Sequence, residues 1–134
     1  MKKSVDTIYQ ASIDFKSFAS GYLEYFNELL SRLDMVKLDQ FYQQLEVLRH
    51  RGDKMILCGN GGSASTAGHF VNDFSIGTRS TQNPLKLMSL TDNTAVVTAI
   101  ANDFGYDQIF SKQLEVYLNS GDLLVVISAS GNSE

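Results

Sequence analysis

The residues best suited to chemistry follow a short apolar run, in the stretch LCGNGGSASTAGHFVNDF from Leu57 to Phe74. Glycines let backbone N–H groups approach a ligand, and a helix that starts there adds positive potential at its N-terminus. The glycine-rich segment therefore predicts an anion site. The residues concerned are Asn60, Gly61, Gly62 and Ser63, the last as helix N-cap or as phosphate ligand. An ordinary strand–helix turn is the alternative, but it needs fewer glycines.

The same segment, GNGGSA, also fits the dinucleotide pattern G-x-G-x-x-A. That pattern expects an acidic residue about 20 positions further on, at the end of the next strand. Asp92 comes roughly 30 positions on, and no Gly-Lys-Ser/Thr follows that would make a P-loop. Dinucleotide binding is therefore the weakest functional hypothesis, and no nucleotide cofactor is predicted.

A second polar segment follows the apolar run LLVVIS, Leu123–Ser128. Three hydroxyl side chains and a glycine within six residues suit phosphate oxygens, although a generic serine-rich loop is the alternative. Each of the two polar segments ends a predicted parallel strand, and this pairing favours phosphate binding. The candidate residues are Ser128, Ala129, Ser130 and Ser133.

His69 and Asp73 lie four residues apart on the helix predicted after the glycine segment, and thus on one helix face. The pair could supply half of a metal site or a catalytic base. An ordinary surface contact is an equal alternative. The polar pair Asn102–Asp103 is interpreted, from local physics alone, as a helix end.

The elements that must position these residues differ between the two parts of the chain. Residues 1–51 are predicted to form a helical arm, and residues 52–134 an α/β domain. Apolar residues at three- and four-residue steps predict a long helix from Val5 to Leu33, broken near Gly21, and a second helix from about Val36 to His50. Their aromatic residues exceed one helix face, which indicates burial in an oligomer.

Strand and helix patterns alternate after Asp53. Strands are predicted at 54–59, 85–90 and 123–128, and helices at 63–74, 94–101 and 106–118. Alternating units of this kind indicate a parallel sheet covered on both faces. Ligands of such sheets bind beyond the carboxyl ends of the strands, where both polar segments lie.

Bulk properties exclude several classes. The net charge of −4 gives no basic face for nucleic acid, and apolar runs of about six residues are far shorter than the ~20 of a membrane helix. Acidic and amide residues soon after Met1 argue against a signal peptide. Cys58 is the only cysteine, so no internal disulfide can form, which fits the cytoplasm.

Three segments together resemble the SIS (sugar isomerase) domain family, and within it the phosphoheptose isomerase group: CGNGGSAS with a following HF, ANDFGY, and GDLLVVISASGNS. The resemblance runs from about Asp53 to the last residue. It implies a parallel α/β sandwich, a homotetramer with sites between subunits, and a phosphosugar substrate. The implied reaction converts sedoheptulose 7-phosphate to D-glycero-D-manno-heptose 7-phosphate through an enediol, for cell-surface heptose biosynthesis. Some members bind zinc, so one divalent metal per site is an expectation.

The resemblance also implies residue roles. Asn60, Gly61, Gly62 and the neighbouring Ser63 match a substrate-contacting loop, and Asn102 and Asp103 match a substrate-binding pair. His69 matches a metal ligand, and Asp73 stands where the family has a glutamate that is both metal ligand and base. Ser128, Ala129, Ser130 and Ser133 match the phosphate loop.

The chain departs from the family at three points. Asp73 is one methylene shorter than the family glutamate, and Ala129 replaces a usual threonine. The family continues for another third beyond Glu134, with a downstream histidine and glutamine, so the chain is expected to be a fragment that is inactive by itself. A non-catalytic SIS module that binds a phosphosugar or a protein is the alternative function.

Overall fold

The computed structural model describes residues 4–132 of the 134-residue chain. Its contacts divide the chain into two compact units between Phe41 and Tyr42, which lie within one helix, α3 (Met35–Arg51). The predicted boundary at residue 51 instead follows the change in sequence pattern and stays a prediction. Over the described residues, no helix has both the length and the apolar character to cross a membrane.

The first unit contains helices α1 (Val5–Ala11) and α2 (Phe15–Ser31). The predicted break near Gly21 is wrong, because the chain breaks at Asp14. The Asp14 carboxylate accepts a hydrogen bond from Ser17 N at 2.7 Å, and the Ser17 hydroxyl caps in return, which starts a new helix. Gly21 lies inside α2, where an added Cβ would come 2.9 Å from Ile8 Cγ2. Its missing side chain therefore serves close packing between α1 and α2.

The second unit contains a three-stranded parallel sheet in the order β2-β1-β3, which confirms the predicted fold class. The strands are β1 (Lys54–Cys58), β2 (Lys86–Ser89) and β3 (Leu123–Val126). Helix α4 (Gly62–Val71) follows β1 and continues as a π-helical segment, Asn72–Ile76. Helix α5 (Thr94–Asp103), a short 3₁₀ turn (Tyr106–Gln108) and helix α6 (Ser111–Tyr117) connect β2 to β3.

The core of this unit surrounds β1, which is the central strand. Met55, Ile56 and Leu57 are fully buried, since the strand has a neighbour on both sides and apolar cover on both faces. Ile56, Cys58 and Leu90 form one apolar cluster with parts of α6. Gln113 of α6 is also buried, and its side-chain amide donates to the backbone carbonyls of Leu90 and Ile109 at 2.8 and 2.7 Å. Helix α6 is thereby fixed to the end of β2.

The opposite end of the sheet is held by Asp122, whose side chain is 4% exposed. Its carboxylate pairs with the Lys54 ammonium and accepts hydrogen bonds from Lys54 N at 3.0 Å and Asn119 N at 2.8 Å. Burial acts to raise the pKa of Asp122, but the hydrogen bonds from Lys54 and Asn119 outweigh it and lower the pKa below its ordinary value. This group joins the starts of β1 and β3.

Replacing Asp122 with asparagine should lower the free energy of unfolding by about 1 kcal/mol at pH 7, the difference between hydrogen bonds to a charged and to a neutral acceptor. A lowered folded-state pKa stabilises the fold above the unfolded pKa of about 3.9, and this is lost as pH falls through the folded pKa. Urea unfolding at several pH values should therefore show the wild-type advantage at pH 7 and its decline below about pH 4. An advantage that does not change with pH would contradict this assignment.

Candidate functional site

The two polar segments lie side by side at the carboxyl end of the sheet. Cys58 of β1 is in register with Val126 of β3, and Ile127 N donates to Cys58 O at 2.8 Å. The glycine loop (residues 59–63) and the serine loop (residues 128–132) therefore leave two paired strands at the same level. The predicted position of both loops is confirmed.

Gly59 is the point where the two loops touch. An added Cβ at this residue would lie 2.7 Å from Ser63 Cβ and 2.8 Å from Ile127 O. Neither distance is compatible with a methyl group, and Ile127 O belongs to the backbone. Gly59 is thus required by the close approach of β1, α4 and the serine loop.

Helix α4 begins in the glycine loop without a side-chain cap. Gly61 is the N-cap, with φ of +56°, and no side chain accepts a hydrogen bond there. Of the two roles predicted for Ser63, helix N-cap is therefore wrong, and phosphate ligand stays a prediction. Within residues 4–132, the backbone N–H groups of Gly61 and Gly62 have no hydrogen-bond acceptor, so they and the helix dipole are available to an anion.

A cavity of about 470 Å³ joins the two loops. Asn60 and Ser63 line one side, and Ser128, Ala129 and Ser130 line the other. No lysine or arginine is among the residues that line this cavity in the described part of the chain. A phosphate here would be bound by N–H groups, hydroxyls and the α4 dipole.

The serine loop is held by hydrogen bonds from its own backbone to its own hydroxyls. Ser128 Oγ accepts from Gly131 N at 3.1 Å, and Ser130 Oγ accepts from Asn132 N at 3.2 Å. Gly131 has φ of +68°, in the left-handed region that favours glycine. Ser133, the last predicted phosphate contact, lies outside the described residues.

His69 and Asp73 are brought together as predicted. His69 Nε2 lies 3.2 Å from Asp73 Oδ2, and the other carboxylate oxygen accepts from Asn72 Nδ2 at 3.2 Å. Both side chains are largely exposed, and Asp73 lies in the π-helical segment. In the part of the chain that the structure describes, no cluster of three or more His, Cys, Asp or Glu side chains surrounds them.

Asn102 and Asp103 are the last two residues of α5, where their side chains are exposed and joined by a bond from Asn102 Nδ2 to Asp103 Oδ1 of 2.8 Å. They agree with the interpretation as a helix end. They are not among the residues that line the cavity. Their role as a substrate-binding pair stays a prediction.

The family model for the SIS domain matches residues 21–134. The chain belongs to the SIS domain family. The N-terminal limit of the match falls inside α2, so the family extends beyond the α/β part of the chain.

Similar proteins place this SIS domain with the phosphoheptose isomerase group. It is 36% identical over 134 residues to a phosphoheptose isomerase of Clostridium acetobutylicum, covering 100% of this chain and 64% of that protein. It is 40% identical over 114 residues to a probable phosphoheptose isomerase of Thermoplasma volcanium, covering 85% of this chain and 58% of that protein.

Solved structures agree. A phosphoheptose isomerase from Francisella tularensis superimposes with a TM-score of 0.77 at 30% identity, covering 98% of this chain and 65% of that one. One from Neisseria gonorrhoeae gives 0.74 at 34% identity, covering 88% and 62%. The SIS domain described here thus spans less than two thirds of the length of these four proteins.

Sequence reasoning missed several residues that line the cavity of this SIS domain. They are Gly59, Tyr106, Asp107, Ile109, Phe110, Val126 and Ile127. Most of them are apolar residues or direct sequence neighbours of the predicted loops. Tyr106 is different, because its hydroxyl donates to Asn60 Oδ1 at 3.0 Å across 46 positions of sequence. The glycine before it, Gly105, was the available signal, since it marks a turn that returns the chain to the sheet edge.

Cys58 lies directly below the glycine loop of the SIS domain. Its side chain is buried in the apolar cluster of β1, and its carbonyl holds Ile127. Burial raises the pKa of the Cys58 thiol above its ordinary value. It is therefore a core residue next to the site and not a nucleophile within it.

Proposed function

We propose that this chain forms part of a phosphosugar aldose–ketose isomerase that interconverts sedoheptulose 7-phosphate and D-glycero-D-manno-heptose 7-phosphate, in the cytoplasm, for cell-surface heptose biosynthesis. One observation carries the proposal: the glycine and serine loops share one cavity at the carboxyl edge of a parallel sheet. The names of the similar isomerases support the same reaction class.

The phosphate end of the substrate binds the serine loop and the start of α4. Hydroxyls of Ser128, Ser130 and Ser133 and the N–H groups of Gly61 and Gly62 supply the donors. Because no lysine or arginine among residues 4–132 lines the cavity, the helix dipole supplies the positive potential. The Ala129 side chain has no hydroxyl, so the side-chain hydrogen bonds to the phosphate come from the neighbouring serines.

Asp73 moves the proton. It takes a proton from the carbon beside the carbonyl, and the electron pair forms the carbon–carbon double bond of an enediol while the carbonyl oxygen gains a proton. The first proton then returns to the former carbonyl carbon while the neighbouring hydroxyl loses its proton and becomes the new carbonyl. Asn102 and Asp103 bind hydroxyls of the sugar. A single carboxylate suffices to carry the proton between the two carbons, and the proton gained by one sugar oxygen balances the proton lost by the other.

The distance from the cavity to Asp73 supports an oligomeric site. Asp73 follows Gly62 by eleven residues, and at 1.5 Å per residue it lies about 16 Å along the helix from the glycine loop. That separation exceeds the length of an extended heptose 7-phosphate. In the proposed homotetramer, Asp73 of one copy therefore serves the cavity of another, and sedimentation of an active monomer would count against this.

A divalent metal, zinc in particular, fits the His69–Asp73 pair in part. Imidazole and carboxylate are ordinary zinc ligands, and the i, i+4 spacing directs both to one point. The described residues supply only these two donors, so the remaining ligands would come from outside residues 4–132 of this chain. When bound, the metal would polarise the substrate carbonyl.

The alternative, a non-catalytic SIS module that binds a phosphosugar or a protein, is favoured by the short side chain of Asp73 and by Ala129. Turnover separates the two functions, because a binding module takes up sedoheptulose 7-phosphate without producing the aldose.

The proposal predicts that calorimetric titration of the chain detects binding of sedoheptulose 7-phosphate and none of NAD. The reason is that the cavity offers hydroxyl and N–H donors for a phosphate, while the acidic residue expected of a dinucleotide site is missing. The double variant Ser128→Ala, Ser130→Ala should lower the affinity for the sugar phosphate at least tenfold. Heat from NAD with no response to any sugar phosphate would reverse the assignment.

A further inference from the structure

The turn after α5 is built to place one aromatic residue at the cavity. Gly105 has φ of +105°, a backbone conformation that L side chains rarely adopt, and an added Cβ would lie 2.7 Å from Asp107 Oδ1, so a side chain there would strain the turn. Gln108 N bonds to Gly105 O at 3.1 Å and Ile109 N to Tyr106 O at 3.3 Å, closing a 3₁₀ turn. Ile109, 3% exposed, anchors the turn in the core.

This anchored turn brings Tyr106 to the glycine loop. Tyr106 is 60% exposed and lines the cavity, and its hydroxyl donates to Asn60 Oδ1 at 3.0 Å. Asn60 belongs to the loop that follows β1, whereas Tyr106 belongs to the turn between α5 and α6. Their hydrogen bond is thus a tertiary contact inside the site.

The contact determines which end of the Asn60 amide faces the ligand. An asparagine amide has one oxygen, which accepts, and one nitrogen, which donates two hydrogens. With Oδ1 engaged by the Tyr106 hydroxyl, the nitrogen is the part left for a bound molecule. A donor suits the hydroxyl and carbonyl oxygens of a sugar.

We propose that Tyr106 is a positioning residue, which orients the Asn60 amide so that its nitrogen donates to a sugar oxygen of the phosphosugar. This inference rests on the proposed function for its ligand. It assigns Tyr106 to the sugar part of the site and leaves the phosphate to the serine loop and the α4 N-terminus.

The test is calorimetric titration of the full chain and of Tyr106→Phe with two probes, sedoheptulose 7-phosphate and inorganic phosphate. Loss of the hydroxyl should lower the affinity for the sugar phosphate about threefold to tenfold, the usual effect of one net hydrogen bond. The affinity for inorganic phosphate should change less than twofold. Tyr117→Phe on α6 is the matched control, because the Tyr117 hydroxyl has no hydrogen-bond partner among residues 4–132. Equal weakening of both probes, or no change, would overturn the proposal.

A double-mutant cycle separates positioning from direct contact. If Tyr106 acts through Asn60, adding Tyr106→Phe to Asn60→Ala should weaken sugar phosphate binding no further. Additive losses would mean that Tyr106 contacts the ligand itself and would refute the positioning role.

A ligand-free measurement keeps this inference distinct from the proposed function. The ¹⁵N side-chain amide signal of Asn60, assigned by its loss in Asn60→Ala, should shift in Tyr106→Phe and stay in place in Tyr117→Phe. If the wild-type chain binds no sugar phosphate, the proposed function fails, whereas an unshifted amide signal refutes the Tyr106 contact.

Discussion

Asp73→Asn should lower kcat for the isomerisation of sedoheptulose 7-phosphate by at least ~100-fold in the catalytically competent protein, the low end of the contribution of a general acid–base group. Asparagine keeps the size of the side chain and an acceptor for Asn72, but it cannot take a proton. Substrate affinity should therefore change much less than the rate. Steady-state kinetics with a coupled assay of the aldose product gives both quantities.

Asp73→Glu is the sharper companion variant, because it restores the residue that the resemblance implies at this position. If the short carboxylate is merely an imperfect base, glutamate should maintain or raise the rate. If the site is adjusted to aspartate, moving the carboxylate by about 1 Å should cost up to ~100-fold. A rate for Asp73→Asn within a factor of three of wild type would exclude Asp73 as the base and favour the binding module.

Gly59→Ala should lower the free energy of unfolding by about 3 kcal/mol, the upper part of the usual range for overpacking, and weaken sugar phosphate binding more than tenfold. The new methyl group would have to displace Ser63 or the carbonyl of Ile127, and either movement separates the two loops of the cavity. Urea unfolding and calorimetric titration measure the two effects.

Gly62→Ala is the matched control, with the same methyl group three residues further along. A Cβ at Gly62 meets nothing within 4 Å, and the residue is already helical. Alanine there should leave stability unchanged or raise it by up to about 1 kcal/mol through helix propensity. Equal destabilisation by both variants would mean that the loop tolerates no side chain for reasons other than contact with Ser63 and Ile127.

The α/β part of the fold was predictable because its signals are local and strong. β1 contains the uninterrupted apolar run Met55–Cys58, and α5 begins with an ordinary cap, Asn93, which accepts from Val96 N at 3.2 Å. The N-terminal break was missed because glycine is the more familiar interruption, whereas the Asp14–Ser17 capping box outweighs the apolar periodicity that continues through Ile13. The π-helical turn has no signature in residue type.

The parts of the candidate site that follow from backbone geometry were predictable. The glycine and serine loops follow from strand ends in a parallel sheet, and the i, i+4 spacing of His69 and Asp73 follows from helix geometry. The Tyr106–Asn60 contact was not predictable, since it depends on the path of a turn between α5 and α6. The N-cap role of Ser63 is wrong because Gly61, with its positive φ, is the N-cap, two residues earlier.

Because Cys58 is buried, the reactivity of its thiol measures local opening of the structure at the site. Cys58 is 2% exposed, and its carbonyl accepts a hydrogen bond from Ile127 N, directly before the serine loop. A thiol reagent can reach the sulfur only while this part of the sheet is open, so the labelling rate at a given pH measures the frequency of opening. An anion that ties the two loops together would slow the labelling in proportion to its occupancy, without any reporter group being added to the protein.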